Sequence, residues 1–408
     1  MKKHISNYNT IFEEFGSAAL TEIQNKYSKF FLTVKECFLI FFFIFLPISQ
    51  TFASGITLPK WISDNMMLPS GVPFKLSGSS EPGQLLSIQF EQYKLETMAD
   101  ASGGWKIDFP SVKQGITSDM VFTCGSEKMV INNIVTGDIW LCSGQSNMQR
   151  TVAHTDEALE AVEDVRDLDI RYFDGTSWKK VTSENVKSIS AVSIYFAIEM
   201  AKKQNKAVGI FVAAKGGTSI DAWLPGEVFP DTETGNIRRS LINDPEVLKA
   251  AEEDRIDFKP AGQQRLARWG LGRAVPASLY STLILPYSDL PVRGVVWYQG
   301  ENNAGSIEQA KEYHLWLNIL INEYRRLWGN PELLFVIIQL PSYDPGTKEG
   351  RIGWSIVQGR QARVVRQTKH TELVKIKDLG DLKDIHPRRK KEVGERAADA
   401  ALKLTHSE

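Results

Sequence analysis

Cysteine is scarce in this chain: Cys37, Cys124 and Cys142 are the only three among 408 residues. So few thiols cannot make the disulfide framework that staples small secreted domains. Free buried thiols are the reading for Cys124 and Cys142, with pairing between them as the alternative. Zinc-type Cys/His spacing and an HExxH helix are absent, so no metal or other cofactor is expected. A surplus of one charge is absent too. Forty-eight Lys and Arg offset forty-nine Asp and Glu, without a long run of either, which gives no support to a nucleic-acid surface or a polybasic membrane tether. The partner left is a small molecule or a neutral polymer. Also missing is the GxSxG elbow of ordinary α/β-hydrolases, and no internal repeat occurs.

One long apolar run does occur. FLIFFFIFLPI, residues 38–48, is followed by small residues at Thr51 and Ala53, the pattern of a signal peptide's apolar region and cleavage site. The preceding segment is long and carries Glu13, Glu14, Glu22 and Glu36, unlike a short basic leader. A spanning helix needs about 20 apolar residues. Residues 1–53 are therefore read first as a cleaved leader of an exported protein, periplasmic or secreted, and second as an uncleaved membrane anchor.

Residues 54–136 hold short alternating runs separated by turn residues, among them VPFKLSG, LLSIQF and WKIDF. Runs of this kind predict a small β-sandwich-like accessory domain. Across residues 137–408 the pattern changes. DIWLC, DIRYF, AVGIFVAA, RGVVWYQ, LLFVIIQL and ELVKIKDL alternate with helical segments, as in a parallel sheet covered on both faces. Apolar spacing predicts a helix over residues 188–204, and Ser306 with Gln309 forms a capping-box signature for a helix that ends at Gly329.

Ligands of such sheets bind at the carboxyl ends of the strands. The segments expected there are SGQSNM, KGGTSIDAW, QGENNAG and DLGDLKDIHP. Together they contain what acyl transfer requires: a hydroxyl nucleophile, a base, a group to orient the base, and oxyanion donors. Ser146 is the candidate nucleophile, although a serine after a strand is by itself most often a turn or cap residue. His386 is the candidate base. His4 lies in the leader, His406 near the terminus, His314 within a helix, His154 in a polar loop or helix start, and His370 in a polar connector. Only His386 stands beyond an apolar strand with acids nearby and with Pro387 poised to begin a helix. Asp384 is the chosen orienting acid and Asp381 its rival, with Asp378 further back. Gly216 and Gly217 offer close backbone approach, and Gln299, Asn302 and Asn303 offer side-chain N–H donors. Trp223, Trp297 and Tyr298 are read as pocket walls or sugar-stacking faces, against the plainer alternative of core packing.

These segments resemble the blocks of the SGNH (GDSL-type) hydrolases, and more closely the sialate O-acetylesterase family of carbohydrate esterases. GQSNM is similar to the serine block, GGTSIDAW to the glycine block, WYQGENNA to the third and DIHP to the histidine block. The resemblance implies a flavodoxin-like three-layer α/β/α domain that needs no metal and hydrolyses acetyl esters on sugars through an acetyl-serine intermediate. It makes Ser146 the nucleophile and His386 the base, and assigns most of the oxyanion hole to the N–H groups of Ser146 and of Gly216 or Gly217. The third donor is taken as Gln299, with Asn303 in reserve, because QGENN is set apart from the usual GxND. Glu301 of the same block is taken as substrate-binding. The usual DxxH places Lys383 where an acid is expected, so Asp384 must act at DxH spacing, or a backbone carbonyl replaces it. The expected function is an exported sialate O-acetylesterase-like enzyme. An acetylxylan or pectin acetyl esterase is the alternative within the class, and a non-catalytic carbohydrate-binding protein the alternative outside it.

Overall fold

The computed structural model describes residues 55–256 and 265–406; the leader and Cys37 lie outside them. Six short strands come first: β1 (Met67–Pro69), β2 (Phe74–Ser79), β3 (Leu85–Phe90), β4 (Tyr93–Met98), β5 (Gly104–Phe109) and β6 (Thr117–Cys124). Alternation produces them, since in β3 and β5 every second side chain is buried. β4 and β6 have a weaker apolar alternation and are held by pairing, β3 accepting both as antiparallel neighbours. The eighteen-residue β7 (Glu127–Gly144) then runs through both parts of the molecule. Its first half pairs antiparallel with β6 and its second half parallel with its later neighbours.

The later strands are β8 (Ile170–Phe173), β9 (Trp178–Lys180), β10 (Val208–Ala214), β11 (Gly294–Tyr298), β12 (Leu334–Ile338) and β13 (Thr371–Val374). They lie in the order β13-β12-β11-β7-β10-β8-β9, and every pair is parallel except the β8–β9 hairpin at the edge. Without that hairpin the order is the 2-1-3-4-5 of flavodoxin-like sheets, with β7 central. The fold class is therefore a flavodoxin-like three-layer α/β/α domain with a small β-rich part before it.

The apolar runs bury both faces because neighbours along a strand point to opposite sides. Ile139 and Leu141 join one core with Val295, Trp297 and the helices Ile307–Leu327 and Lys348–Gln367. Trp140 and Cys142 join the other with Val296, Tyr298 and the helices Ala191–Gln204 and Lys390–Thr405. The first of these cores continues without a break into Trp61, Phe90, Trp105 and Phe122 of the β-rich part. Arg171 on β8, almost fully buried, adds hydrogen bonds to the carbonyls of Asn65 (3.1 Å) and Asn133 (2.9 Å). The boundary read at residues 136/137 thus falls inside one strand, between parts that share a core.

Both helices expected from sequence form, with Ser190 and Ser306 as their N-caps. The capping box is half made. Ser306 Oγ accepts from the Gln309 N–H, while the Gln309 side chain accepts from Asn303 instead of turning back. The C-terminal helix begins at Lys390 rather than at Pro387. It crosses Ala191–Gln204 at Gly394, where a Cβ would meet Tyr195 at 2.5 Å. Cys142 is a buried free thiol, and Cys124 is free and half-buried.

Candidate active site

Parallel register sets the site. Gly144 of β7 stands level with Ala214 of β10 and Tyr298 of β11. The residues two places beyond these partners, Ser146, Gly216 and Gly300, therefore emerge side by side at one edge. The chain leaves β7 for β10 on one side and returns as β11 on the other, so this edge is a topological switch point. Gly144 has φ +144, and a Cβ there would lie 2.1 Å from the Tyr298 carbonyl. Only glycine permits the turn that ends the strand and begins the four-residue helix Ser146–Gln149.

The residues on either side of Ser146 fasten the surrounding loops. Gln145 Oε1 accepts from the N–H groups of Gly300 (3.5 Å) and Asn302 (3.2 Å) and from Gln299 Nε2 (3.2 Å). Asn147 is fully buried. Its Nδ2 donates to the Ile385 carbonyl (3.0 Å) and to Glu301 Oε1 (2.6 Å), while its Oδ1 accepts from Lys390 Nζ (2.5 Å). One side chain thus ties the serine turn to the histidine loop. Burial pushes Lys390 below the usual ammonium range, opposed by the nearby Glu301 carboxylate. Burial likewise pushes Glu301 above the usual carboxyl range, opposed by the Asn147 hydrogen bond.

His386 Nε2 lies 2.9 Å from Ser146 Oγ, although 240 positions separate the two residues. The imidazole is held below its ordinary value, first by burial and then by Arg150 and Lys390, with Asp384 acting the other way. Asp384 Oδ1 is 3.9 Å from Nδ1 and accepts the His386 backbone N–H at 2.8 Å. Arg150 Nη2 lies nearer to Nδ1 than that carboxylate, at 3.3 Å. Asp381 instead accepts the Lys383 N–H, and Asp378 pairs with Arg396. Of the three acids, Asp384 alone stands beside the imidazole.

A cavity of about 540 Å³ opens over this pair and is lined by Ser146, His386, Gly216, Gly217, Asn302 and Glu301 among others. Gly216 packs its backbone on Ser146, and a Cβ there would be 3.2 Å from the serine's own. Its N–H donates to Gln149 Oε1 at 2.7 Å. The Asn302 side chain reaches the same wall, where Nδ2 lies 3.4 Å from the Gly217 carbonyl. An oxyanion on a carbonyl attacked by Ser146 would find its donors in this arc, from the Ser146 and Gly216 N–H groups to Asn302 Nδ2.

A family model described as carbohydrate esterase, sialic acid-specific acetylesterase, matches residues 136–247 and 261–403, more than half of the chain. The chain belongs to this family. It is 25% identical to mouse sialate O-acetylesterase over 301 residues, covering 64% of this chain and 54% of that protein. It is 25% identical to the human sialate O-acetylesterase over 405 residues, 87% of this chain and 72% of the relative. The chain spans about half the length of the mouse and rat relatives it matches, 54% and 56%. Among solved structures, a carbohydrate acetylesterase from Xanthomonas citri superposes with a TM-score of 0.73 at 26% identity, covering 87% of this chain and 76% of that one.

Within this family member, several residues expected at the site lie elsewhere. Gln299 is fully buried, and its Nε2 is taken up by Gln145, the Thr218 carbonyl (3.0 Å) and Asn303 (2.8 Å). Asn303 is buried as well, accepting from the Ile220 N–H and donating to Gln309. Both are struts beneath the pocket. Of the three block amides, Asn302 is the one that lines it, at the G-x-N spacing of Gly300-Glu301-Asn302. Trp223, Trp297 and Tyr298 are fully buried and line no part of the cavity. Trp223 and Trp297 meet edge to face at 5.9 Å within the core, so these rings hold the sheet rather than a sugar. Glu301 does reach the cavity wall. His154, set aside with the other histidines, stands at the rim with Arg150 and Arg273. Arg150 and His154 follow Ser146 by four and eight residues and Arg273 comes from a distant loop, but no local pattern marked any of them as facing the pocket.

Proposed function

We propose that this protein hydrolyses O-acetyl esters on sugars, an acetylated sialic acid foremost, through an acetyl-serine intermediate. The observation that carries the reading is the 2.9 Å contact between Ser146 Oγ and His386 Nε2 at the switch point of the sheet. His386 takes the serine proton as Oγ attacks the acetyl carbonyl. The N–H groups of Ser146 and Gly216 and the amide of Asn302 receive the oxyanion once Gln149 yields its place. His386 then protonates the departing sugar hydroxyl, and a water activated by the same imidazole releases acetate. A base in this role must carry its proton on Nδ1, facing Asp384, which stabilises the imidazolium. Family membership and the likeness to a carbohydrate acetylesterase support an acetylated carbohydrate as substrate. The apolar run at residues 38–48 supports export.

The test is acetate release from p-nitrophenyl acetate and from a panel of acetylated sialosides, xylans and pectins. Wild type is expected to act and Ser146→Ala to be inert. Equal rates for the two proteins would end the esterase reading and leave a binding protein. Activity on xylan or pectin but not on sialosides would replace the substrate.

A further inference from the structure

Resting on the esterase reading, we propose that Arg150 binds the carboxylate of an acidic sugar substrate, and that until such a substrate arrives it holds the catalytic histidine in its idle tautomer.

A guanidinium can only donate hydrogen bonds. With Arg150 Nη2 at 3.3 Å from His386 Nδ1, that nitrogen must present its lone pair, and a neutral imidazole then carries its proton on Nε2. Nε2 is the atom 2.9 Å from Ser146 Oγ. In this tautomer it donates to the serine oxygen and cannot receive the serine proton. The working tautomer needs an acceptor at Nδ1, and one waits beside it. Asp384 Oδ1 is 3.9 Å away, held by the backbone N–H of His386. Two groups of opposite kind thus compete for one nitrogen, the cation selecting the idle form and the carboxylate the active one.

What would draw the cation off is written in the pocket wall. Arg150 forms no ion pair with a carboxylate among the described residues, and its Nη2 faces the imidazole. Arg273, exposed, lies on the same cavity, its side chain against Gly217. The one acid in the lining is Glu301, buried and already engaged by Asn147. The pocket therefore presents cationic donors to its contents, and a guanidinium pairs with a carboxylate more strongly than with a neutral ring nitrogen. When a substrate carboxylate takes Arg150, the imidazole loses its Nε2 proton to water and gains one at Nδ1 from water, with no net change, and Nδ1–H turns to Asp384. The adjoining Gln149, whose amide oxygen occupies the Gly216 N–H, keeps the oxyanion donor covered in the same resting state. The charged or titratable groups around His386 are Arg150 on the serine turn, Lys390 on the C-terminal helix and Asp384 on its own loop, with His154, Arg273 and Glu301 also on the cavity.

The experiment compares kcat/KM of the full chain on three substrates: p-nitrophenyl acetate, an O-acetylated sialic acid, and the methyl ester of that same sugar, whose carboxylate is masked. Wild type is expected to prefer the free acid over its methyl ester by on the order of tenfold or more, the worth of one charge-assisted contact. Arg150→Gln should bring that ratio close to one, act faster than wild type on p-nitrophenyl acetate, and show an acid limb moved to higher pH because a cation facing the imidazole is gone. Arg150→Lys, which keeps a cation, should retain part of the preference. A wild-type ratio near one overturns the proposal whether or not the variants fold, as does an Arg150→Gln enzyme that keeps the ratio or slows on all three substrates alike. Full activity in Ser146→Ala would instead strike the esterase reading and leave a separate mark.

Discussion

Replacing Asn147 with alanine should cost far more than one buried amide suggests. Three hydrogen bonds vanish together. Those to Lys390 Nζ (2.5 Å) and Glu301 Oε1 (2.6 Å) involve charged partners and are worth about 1.5–3 kcal/mol each. The third, to the Ile385 carbonyl (3.0 Å), is neutral and worth about 1 kcal/mol. These terms are not independent, and a net loss of about 4 kcal/mol is expected, in keeping with broken buried charge pairs. Urea unfolding of wild type and Asn147→Ala gives the measurement, as a lower midpoint at an unchanged slope. Asn147→Asp sharpens it. Its shape is the same, but an oxygen now faces Glu301 Oε1 and the Ile385 carbonyl where a donor stood. It should be no more stable than the alanine variant near neutrality. It should recover as pH falls through the raised value of Glu301, when that carboxyl regains a proton to donate. Kinetics under conditions where Asn147→Ala is folded should show reduced kcat, because Ile385, the residue before His386, has lost its tether. Midpoints for both variants within about 1 kcal/mol of wild type would refute the view that this side chain joins the two catalytic loops.

Asn302→Ala should lower kcat by on the order of 10²–10³ with little change in KM, as for loss of one oxyanion donor, whereas Gln299→Ala should act chiefly on the unfolding midpoint because Gln299 never reaches the cavity. Asp384→Asn should slow turnover by about fivefold to tenfold, the worth of a partly exposed carboxylate near a cation, and Asp381→Asn should leave turnover unchanged; the reverse ranking in steady-state assays would move the acid. The base works deprotonated and His386 is held below its ordinary value of 6.5, so the acid limb of kcat/KM should fall below that value, and Asp384→Asn, which removes the group favouring the protonated ring, should move it lower still. A limb above 6.5 in wild type would contradict the burial and the two cations around the ring.

Local pattern carried much of this. The apolar runs at residues 138–142, 207–214, 293–299 and 333–340 announced strands buried on both faces, and period-two alternation within β3 and β5 set which side chains enter the core. Ser146, Gly216 and His386 were legible because each follows a strand in a loop of unusual composition. Burial of aromatics was not legible. Trp223, Trp297 and Tyr298 sit beside the motifs along the chain, yet strand pleating turns Trp297 and Tyr298 into the sheet's two cores, and the short 3-10 turn Ile220–Trp223 packs Trp223 against Trp297. Choosing among Gln299, Asn302 and Asn303 likewise required the turn geometry after β11, since consecutive residues there face unlike surroundings.

The sequence by itself determined the layered sheet, the turn carrying the serine and the distant histidine loop, because hydrophobic period and turn chemistry act over a few residues. Only the tertiary structure decided that Asn147 joins the two loops, that Asn302 rather than Gln299 lines the pocket, and that Arg150 stands closer than Asp384 to the imidazole. Those outcomes depend on side chains far apart along the chain arriving within a few ångströms, and such meetings are set by packing and register, which leave no local trace.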